Sequence, residues 1–150
     1  MIQIDDFDKK ILQCLSKDSR QPIERLAAAV NLSPTPVRRR IRRMEEDGLI
    51  RRYSVDVDMK KAGYALTLLV FVKLQSRDRQ TIAEFEGKIR RLPQIASCAL
   101  ITGPHDYMLT MSVHDMDTYD EFLRSVLAEL PGVFGIETNV VIGNVKDEVK

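Results

Sequence analysis

The sequence predicts an α+β protein, built from an N-terminal helix-turn-helix unit that is winged-helix-like and a C-terminal ferredoxin-like βαββαβ unit. Three amphipathic segments with helical spacing fill residues 1–48, as expected of a compact trihelical unit. The second half changes to strand and helix patterns in the order β-α-β-β-α-β. We predict a first domain over 1–50, a connecting strand and linker over 51–63, and a second domain over 64–150.

Charge divides the chain in the same way. Residues 20–52 carry nine lysines and arginines against four acidic residues, whereas residues 61–150 carry ten basic and twelve acidic residues. The first part is therefore suited to contact a polyanion, and the second part is not. The net charge of +1 hides this asymmetry, which indicates two functions on one chain.

The first two helices are predicted from capping residues and apolar spacing. Asp5 or Asp6 caps a helix that runs to about Lys17, and Pro22 starts the second helix. The residues expected to face the core are Phe7, Ile11, Cys14 and Leu15 in the first helix and Ile23, Leu26, Ala27 and Val30 in the second. A turn over residues 31–33 leads into the third helix.

The third helix is bounded by Ser33 or Thr35 as its cap and by Gly48 after its end. An apolar stripe along it predicts the side that packs on the other two helices. This stripe consists of Val37, Ile41 and Met44.

Five arginines stand within six positions of this helix, at 38, 39, 40, 42 and 43. The residues opposite the apolar stripe are Thr35, Arg38, Arg39 and Arg42. Arginine reads guanine with two hydrogen bonds in the major groove and grips phosphates with its planar fork. Two alternatives remain open: a solvated surface helix, or pairing of the flanking Arg40 and Arg43 with Glu46 or Asp47 one turn away.

Alternating apolar residues after the third helix predict a strand, serving as a wing or a connector, at Tyr53, Val55 and Val57. The basic, glycine-containing stretch 59–63 is the predicted boundary between the domains. The second domain is predicted to contain strands over 66–75, 95–102, 107–113 and 136–142 and helices over 79–92 and 117–130, the last capped by Asp117.

Composition excludes several classes of protein. Hydrophobic and charged fractions of 44% and 30% are ordinary for a soluble globular protein. No apolar run approaches the ~18 residues of a membrane helix and no signal-peptide pattern is present, so we expect a cytoplasmic protein without a membrane partner. Cys14 and Cys98 are too far apart for a disulfide framework or metal knuckle, and both are predicted to be core residues.

No enzyme is predicted, because the chain lacks a nucleotide-binding glycine loop, a serine elbow and a cysteine with a histidine near it in sequence. We expect neither a cofactor nor a metal, since the spacing of His105 and His114 matches no usual ligand pattern. RNA binding is a further alternative, because β-α-β-β-α-β is also an RNA-binding topology. The strand 107–113 lacks the paired aromatic residues that stack bases.

Four motifs follow one another along nearly the whole chain. They are LSPTPV at 32–37 with RRME at 42–45 and GLI at 48–50, LVFV at 69–72, TGPHDYML at 102–109, and LPGV at 130–133. Together they resemble the Lrp/AsnC family of bacterial and archaeal regulators. The resemblance implies a transcription regulator that binds double-stranded DNA, dimerises and often assembles further to a tetramer or octamer. It also implies that the second domain serves oligomerisation and binds an effector, usually an amino acid, between subunits.

The DNA contacts are predicted on the outer face and N-terminus of the third helix and just beyond it. The residues are Ser33, Pro34, Thr35, Arg38, Arg39, Arg42, Arg43, Arg51 and Arg52. Thr35, Arg38, Arg39 and Arg42 are expected to face the groove. The remaining residues, together with Arg40, are expected to meet phosphates.

The effector is predicted to bind at Thr102, Gly103, Pro104, His105, Asp106 and Tyr107. The resemblance adds Thr138, which matches a position that lines the family's inter-subunit site; in the alternative it is a threonine placed by its strand propensity. Gly103 leaves backbone N–H groups accessible to a carboxylate, and Asp106 is a candidate partner for an α-ammonium. In the alternative, Gly103 and Asp106 only build the turn between two strands. The family commonly carries an aromatic residue where His105 stands. Two competing functions remain open. One is a regulator of the same family that binds no effector, and the other is an assembly or sensing protein whose helix-turn-helix mediates contacts other than DNA binding.

Overall fold

A computed structural model of the chain describes residues 3–146 and confirms the α+β fold. The described residues divide into two compact units, one ending at Asp56 and the other running from Val57 to Val145. Within the described part, no helix combines the length and the apolar character needed to cross a bilayer.

The first unit consists of helices α1 (Asp6–Lys17), α2 (Ile23–Ala29) and α3 (Pro34–Glu46). Its core confirms most of the predicted apolar faces and contains Ile11, Leu26, Ala27, Val30, Val37 and Met44. The prediction for Phe7 is wrong, because its side chain is 40% exposed while the neighbouring Asp8 is buried. Asp5 and Asp8 form a capping box at the start of α1, and this arrangement turns Asp8 rather than Phe7 inward.

Helix α3 begins and ends where its capping residues predict. Ser33 occupies the N-cap position, although its side chain makes no capping hydrogen bond, and Pro34 begins the first turn. Gly48, with φ of +71°, follows the helix end in the left-handed conformation that glycine adopts without strain. Asn31, with φ of +54°, provides the tight turn between α2 and α3.

The strand predicted after α3 is not formed. Residues 51–58 have no regular structure. The side chains of Tyr53, Val55 and Val57 are exposed, at 50%, 69% and 49%. Alternation of apolar residues makes a strand only where another strand pairs with its backbone, and within residues 3–146 this segment has no such partner. The Tyr53 hydroxyl instead donates a hydrogen bond to Glu45 at 2.7 Å.

The second unit has the ferredoxin-like order. It consists of β1 (Leu66–Leu74), α4 (Arg79–Ile89), β2 (Ile95–Leu100), β3 (Tyr107–Val113), α5 (Met116–Phe122) and β4 (Val133–Val140). The sheet order is β2-β3-β1-β4 and every neighbouring pair is antiparallel. One face of the sheet packs with α4 and α5 around Val70, Phe85 and Leu109, while Leu69 and Phe71 on the other face are only half-buried.

Several boundaries differ from the prediction for local reasons. Asp115 rather than Asp117 caps α5, because its carboxylate accepts a 2.7 Å hydrogen bond from the Thr118 N–H. Helix α5 then continues into a π-helical turn, Leu123–Leu127, closed by a bond from the Ala128 N–H to the Leu123 carbonyl. Strand β4 begins at Val133, three residues early, because it pairs with the end of β1 across a bulge.

Cys98 is exposed, so its prediction as a core residue is wrong. It lies on β2, which is an edge strand that pairs only with β3. Side chains of an edge strand receive less cover from their neighbours, whatever the apolar character of the strand. Cys14 is half-buried against the core of the first unit.

Candidate nucleic-acid interface and effector site

The outer face of α3 carries three exposed arginines, Arg38, Arg39 and Arg42, which we call the outer arginines. Arg42 donates to Glu46 at 2.8 Å within the helix, and Arg38 lies 3.7 Å from Glu24. The side chains of Arg38 and Arg42 remain 67% and 80% exposed in these pairs. Exposed ion pairs of this kind contribute about 0–1 kcal/mol, so the outer arginines can exchange them for a polyanion.

The other two arginines of α3, Arg40 and Arg43, are held by α1, and we call them the clamped arginines. Arg40 donates to Asp8 at 2.8 Å and to Asp5 at 2.7 Å, and Arg43 donates to the second oxygen of Asp8 at 2.5 Å. The hydrogen bond that Arg40 donates to Asp8 is the main reason that the pKa of Arg40 is raised above its ordinary value. The alternative prediction that Arg40 and Arg43 pair with Glu46 or Asp47 is wrong, because both arginines pair with acids of α1 and its cap.

The contacts with Asp5 and Asp8 cover the two clamped arginines to different extents. The guanidinium of Arg40 is mostly covered, whereas Arg43 keeps about half of its surface exposed beside Asp8. The acids of α1 neutralise much of the positive charge of this pair. Sequence reasoning missed Asp8, although its spacing of three from Asp5 is the spacing of a capping box.

The start of α3 offers few donors for a phosphate. Pro34 and Pro36 have no backbone N–H, and this removes two of the groups that normally make a helix N-terminus a phosphate site. The backbone N–H of Thr35 and the exposed hydroxyl of Ser33 remain. Arg51 and Arg52 are exposed in the extended segment that follows the unit's last packed residue, Ile50.

Asp106, a predicted effector residue, is occupied by the protein itself. Asp106 is 5% exposed, and its carboxylate accepts hydrogen bonds from the Leu74 N–H at 2.8 Å and from Arg77 at 2.6 Å. The Leu74 bond, followed by Arg77, holds the pKa of Asp106 below its ordinary value. Its own N–H donates to the Val72 carbonyl. This geometry favours the turn-building role of Asp106 over contact with an ammonium group.

The loop before Asp106 is open. Gly103 has φ of +118°, and Thr102, Gly103 and Pro104 are all exposed. Among residues 3–146, no acceptor meets the backbone N–H groups of Thr102, Gly103 or His105. Three free donors in one short loop are suited to an anion such as a carboxylate.

His105 and Glu137 border this loop on the sheet face that the helices leave open. The His105 Nε2 atom lies 3.3 Å from a carboxylate oxygen of Glu137, and the His105 ring lies 5.4 Å from the ring of Phe71. Sequence reasoning missed Glu137. Strand alternation could have identified it, because neighbours on β4 face opposite sides of the sheet.

The remaining two predicted effector residues lie on the helix-packed face. Thr138 contacts the Tyr119 hydroxyl of α5, and the buried Tyr107 donates to Glu86 of α4 at 3.0 Å. Burial and the Glu86 contact raise the pKa of Tyr107 to about 12. Within one chain, the predicted set therefore separates into an open loop, 102–105, and three residues engaged inside the unit. His105 precedes β3 and His114 follows it. The strand between them is about 20 Å long, so the two histidines do not meet.

Two family models match the chain, and their ranges follow its two units. A winged helix-turn-helix DNA-binding model matches residues 4–51, and a model described as the Lrp/AsnC ligand binding domain matches residues 67–150.

Named proteins with similar sequences are regulators. The chain is 38% identical over 145 residues to the Bkd operon transcriptional regulator of Pseudomonas aeruginosa, covering 97% of this chain and 95% of that protein. It is 34% identical over 148 residues to the transcriptional regulator AzlB of Bacillus subtilis, covering 99% and 94%. A transcriptional regulator of Neisseria meningitidis, solved in complex with L-Met, is 28% identical and superposes with a TM-score of 0.91 over 97% of this chain and 94% of that one.

Proposed function

This chain belongs to the Lrp/AsnC family of transcriptional regulators, and we propose how its two units perform that role. The chain is a DNA-binding transcriptional regulator. We propose that α3 enters the major groove with the outer arginines and Thr35 toward base edges. Arg51, Arg52, Ser33, Pro34 and the exposed side of Arg43 are proposed to contact phosphates, which add affinity without sequence information.

The division of the five arginines carries this proposal. The outer arginines have only weak, exposed partners, whereas the clamped arginines have a buried one. A helix that packs on a core through Val37 and Met44 and presents exposed guanidinium groups on its other side has the form of a recognition helix.

For the second unit, we propose an amino acid as the effector, bound at the open loop. The free N–H groups of Thr102, Gly103 and His105 are suited to its carboxylate. Glu137, beside His105, is suited to its ammonium group in place of Asp106, whose oxygens are already bonded. The same face carries the half-buried Phe71, so a second copy packing there would enclose the ligand between subunits.

We further propose a homodimer that assembles to a tetramer or octamer and acts in the cytoplasm. The domains proposed are those predicted, with residues 51–63 as the connection. Light scattering of the purified protein measures the assembly, and a monomer at micromolar concentration would contradict it.

The function is tested by titrating the full chain against labelled DNA from the region upstream of its own gene, with and without pooled amino acids. We expect tight, salt-sensitive binding, because phosphate contacts release counterions. We expect the pool to change the affinity for wild type and not for Glu137→Gln. Glu129→Gln, the same change at an exposed position outside the loop, is the control. If the amino acid pool leaves the affinity of wild type for DNA unchanged, the effector proposal is contradicted and the DNA-binding proposal is not.

A further inference from the structure

A cavity of about 630 Å³ lies within the second unit, away from the loop 102–105. Its walls come from the segment before β1, from the start of β2, from the end of β3 and from α5 with its π-helical turn. This volume lies within the ~300–1,000 Å³ typical of small-molecule sites. The loop 102–105 joins the opposite ends of β2 and β3, so the two sites are separate.

The inside of the cavity is mostly apolar. Met111 of β3, with 1% of its surface exposed, belongs to the core and forms part of the wall, and Met59 and Val126 add to it. Val126 lies in the π-helical turn, where a bond from residue i+5 to residue i replaces the regular helical bond. Such turns occur frequently at functional sites because they displace side chains from the regular helical positions.

The polar lining of the cavity includes His114, Glu121 and the uncharged side chains of Gln94, Ser112, Thr118 and Ser125. The His114 ring stacks on Tyr64 with a centroid distance of 4.5 Å, and its Nδ1 atom lies 2.8 Å from the Gly63 carbonyl. A carbonyl only accepts, so Nδ1 donates, and Nε2 of the neutral ring is left as an acceptor.

Glu121 is the only acidic or basic side chain besides His114 among the described residues that line the cavity. Within residues 3–146 its carboxylate makes no ion pair with a lysine or arginine. An unpaired carboxylate beside an apolar cavity favours a cation and disfavours a second carboxylate.

We propose that this cavity is a second small-molecule site, which binds a protonated amine with an apolar body. The apolar part lies against Met59, Met111 and Val126, and the ammonium group donates to Glu121 and to Nε2 of His114. A free amino acid fits less well, because Glu121 repels its carboxylate and no lysine or arginine among the described lining residues pairs with it. Met59 and Tyr64 belong to the segment that leads to the first unit, so a bound amine contacts the chain that connects the ligand-binding and DNA-binding units. The proposal is independent of the amino acid effector at loop 102–105.

The test uses three ligands with one body: 2-phenylethylamine, phenylalanine and 3-phenylpropanoate. The full chain is labelled with carbon-13 at its methionine methyl groups, and each ligand is titrated by NMR. We expect the amine to shift the resonances of Met59 and Met111 and to leave that of Met44, in the first unit, unchanged. We expect its affinity to exceed that of the other two ligands by about tenfold or more, as one charge-assisted hydrogen bond allows.

Two variants and one control locate the site. Glu121→Gln is expected to weaken amine binding by about tenfold, while Glu129→Gln leaves it unchanged. Ala96→Phe, at an exposed strand position on the cavity wall, is expected to block it. The proposal is overturned if Met59 and Met111 do not respond to the amine, if the carboxylate ligand binds as tightly, or if Glu121→Gln binds as wild type does.

Discussion

Asp8 of α1 and Arg43 of α3 form an ion pair of 2.5 Å in which the carboxylate of Asp8 is almost fully buried. The other oxygen of Asp8 accepts from Arg40, so that one acid holds two arginines of a helix whose remaining arginines have no buried partner among the described residues. This contact joins α1 to α3, the proposed recognition helix. It covers most of Arg40 and leaves the outer arginines, which we propose contact bases, without a buried partner.

Replacing Asp8 by alanine is expected to destabilise the first unit by about 2–3 kcal/mol. The change leaves the partly buried Arg40 with only Asp5 as a partner and removes one half of the capping box. Urea unfolding followed by circular dichroism measures the effect. Asp6→Ala is the matched control, because Asp6 makes only an exposed pair with Lys9. Equal stabilities of the two variants would contradict the structural role of Asp8.

Asp106 is expected to make the second unit sensitive to acid. Its pKa is lowered in the folded state by the Leu74 N–H and by Arg77, so the unfolded chain binds more protons in the acidic range. Its contribution is therefore complete above about pH 5, where an unfolded aspartate is ionised, and is lost as pH falls through the folded pKa.

The variant Asp106→Asn isolates this contribution. It is expected to be less stable than wild type by about 1.5–3 kcal/mol at pH 7, since a hydrogen bond to a charged group is lost. The difference is expected to shrink at pH 3. Unfolding in urea at pH 7, 5 and 3, with hydrogen exchange of the Leu74 amide, measures it. A difference that stays constant with pH would show that the charge of Asp106 is unimportant.

Two glycine-to-alanine changes in the second unit are expected to have opposite signs. Gly132 has φ of +73°, and a Cβ atom there would lie 2.3 Å from Thr81 Cγ2, so Gly132→Ala is expected to cost about 1–3 kcal/mol. Gly87 lies inside α4, and an added Cβ would meet no atom within 4 Å beyond its chain neighbours and the backbone of its own helix, so Gly87→Ala is expected to stabilise by about 0.5–1 kcal/mol. Thermal unfolding compares them, and a stabilised Gly132→Ala would contradict the packing at this turn.

Local patterns predicted most of the fold because the deciding interactions are local. Asp5 caps α1 by a hydrogen bond within one turn, Ser33 and Gly48 stand at the two ends of α3, and the apolar stripe of α3 follows its own periodicity. The strand prediction for the segment 51–58 is wrong because the alternation of apolar residues is a local property, whereas a strand needs pairing with a segment distant in sequence.

The site was predicted less completely because it depends on contacts distant in sequence. Asp8 and Arg43 are 35 residues apart, and Asp106 is held by Leu74 and Arg77 about 30 positions earlier. The side of the sheet on which Thr138 lies depends on the register of β4 with β1, which is shifted by a bulge. The sequence places the loop 102–105 and Thr138 in one predicted effector site, whereas the packed structure separates the loop from Thr138 within one chain.

The most direct test of the account measures the affinity of the full chain for its upstream DNA and for a scrambled duplex across a salt series. We expect wild type to prefer the upstream DNA. We expect Arg38→Ala or Arg42→Ala to lose ~1–3 kcal/mol and to relax the preference at one base position. Arg91→Ala, an exposed arginine of the second unit, is expected to change neither. Equal binding of both duplexes by wild type, or equal weakening on both by Arg38→Ala and Arg42→Ala, would contradict base reading by the outer arginines.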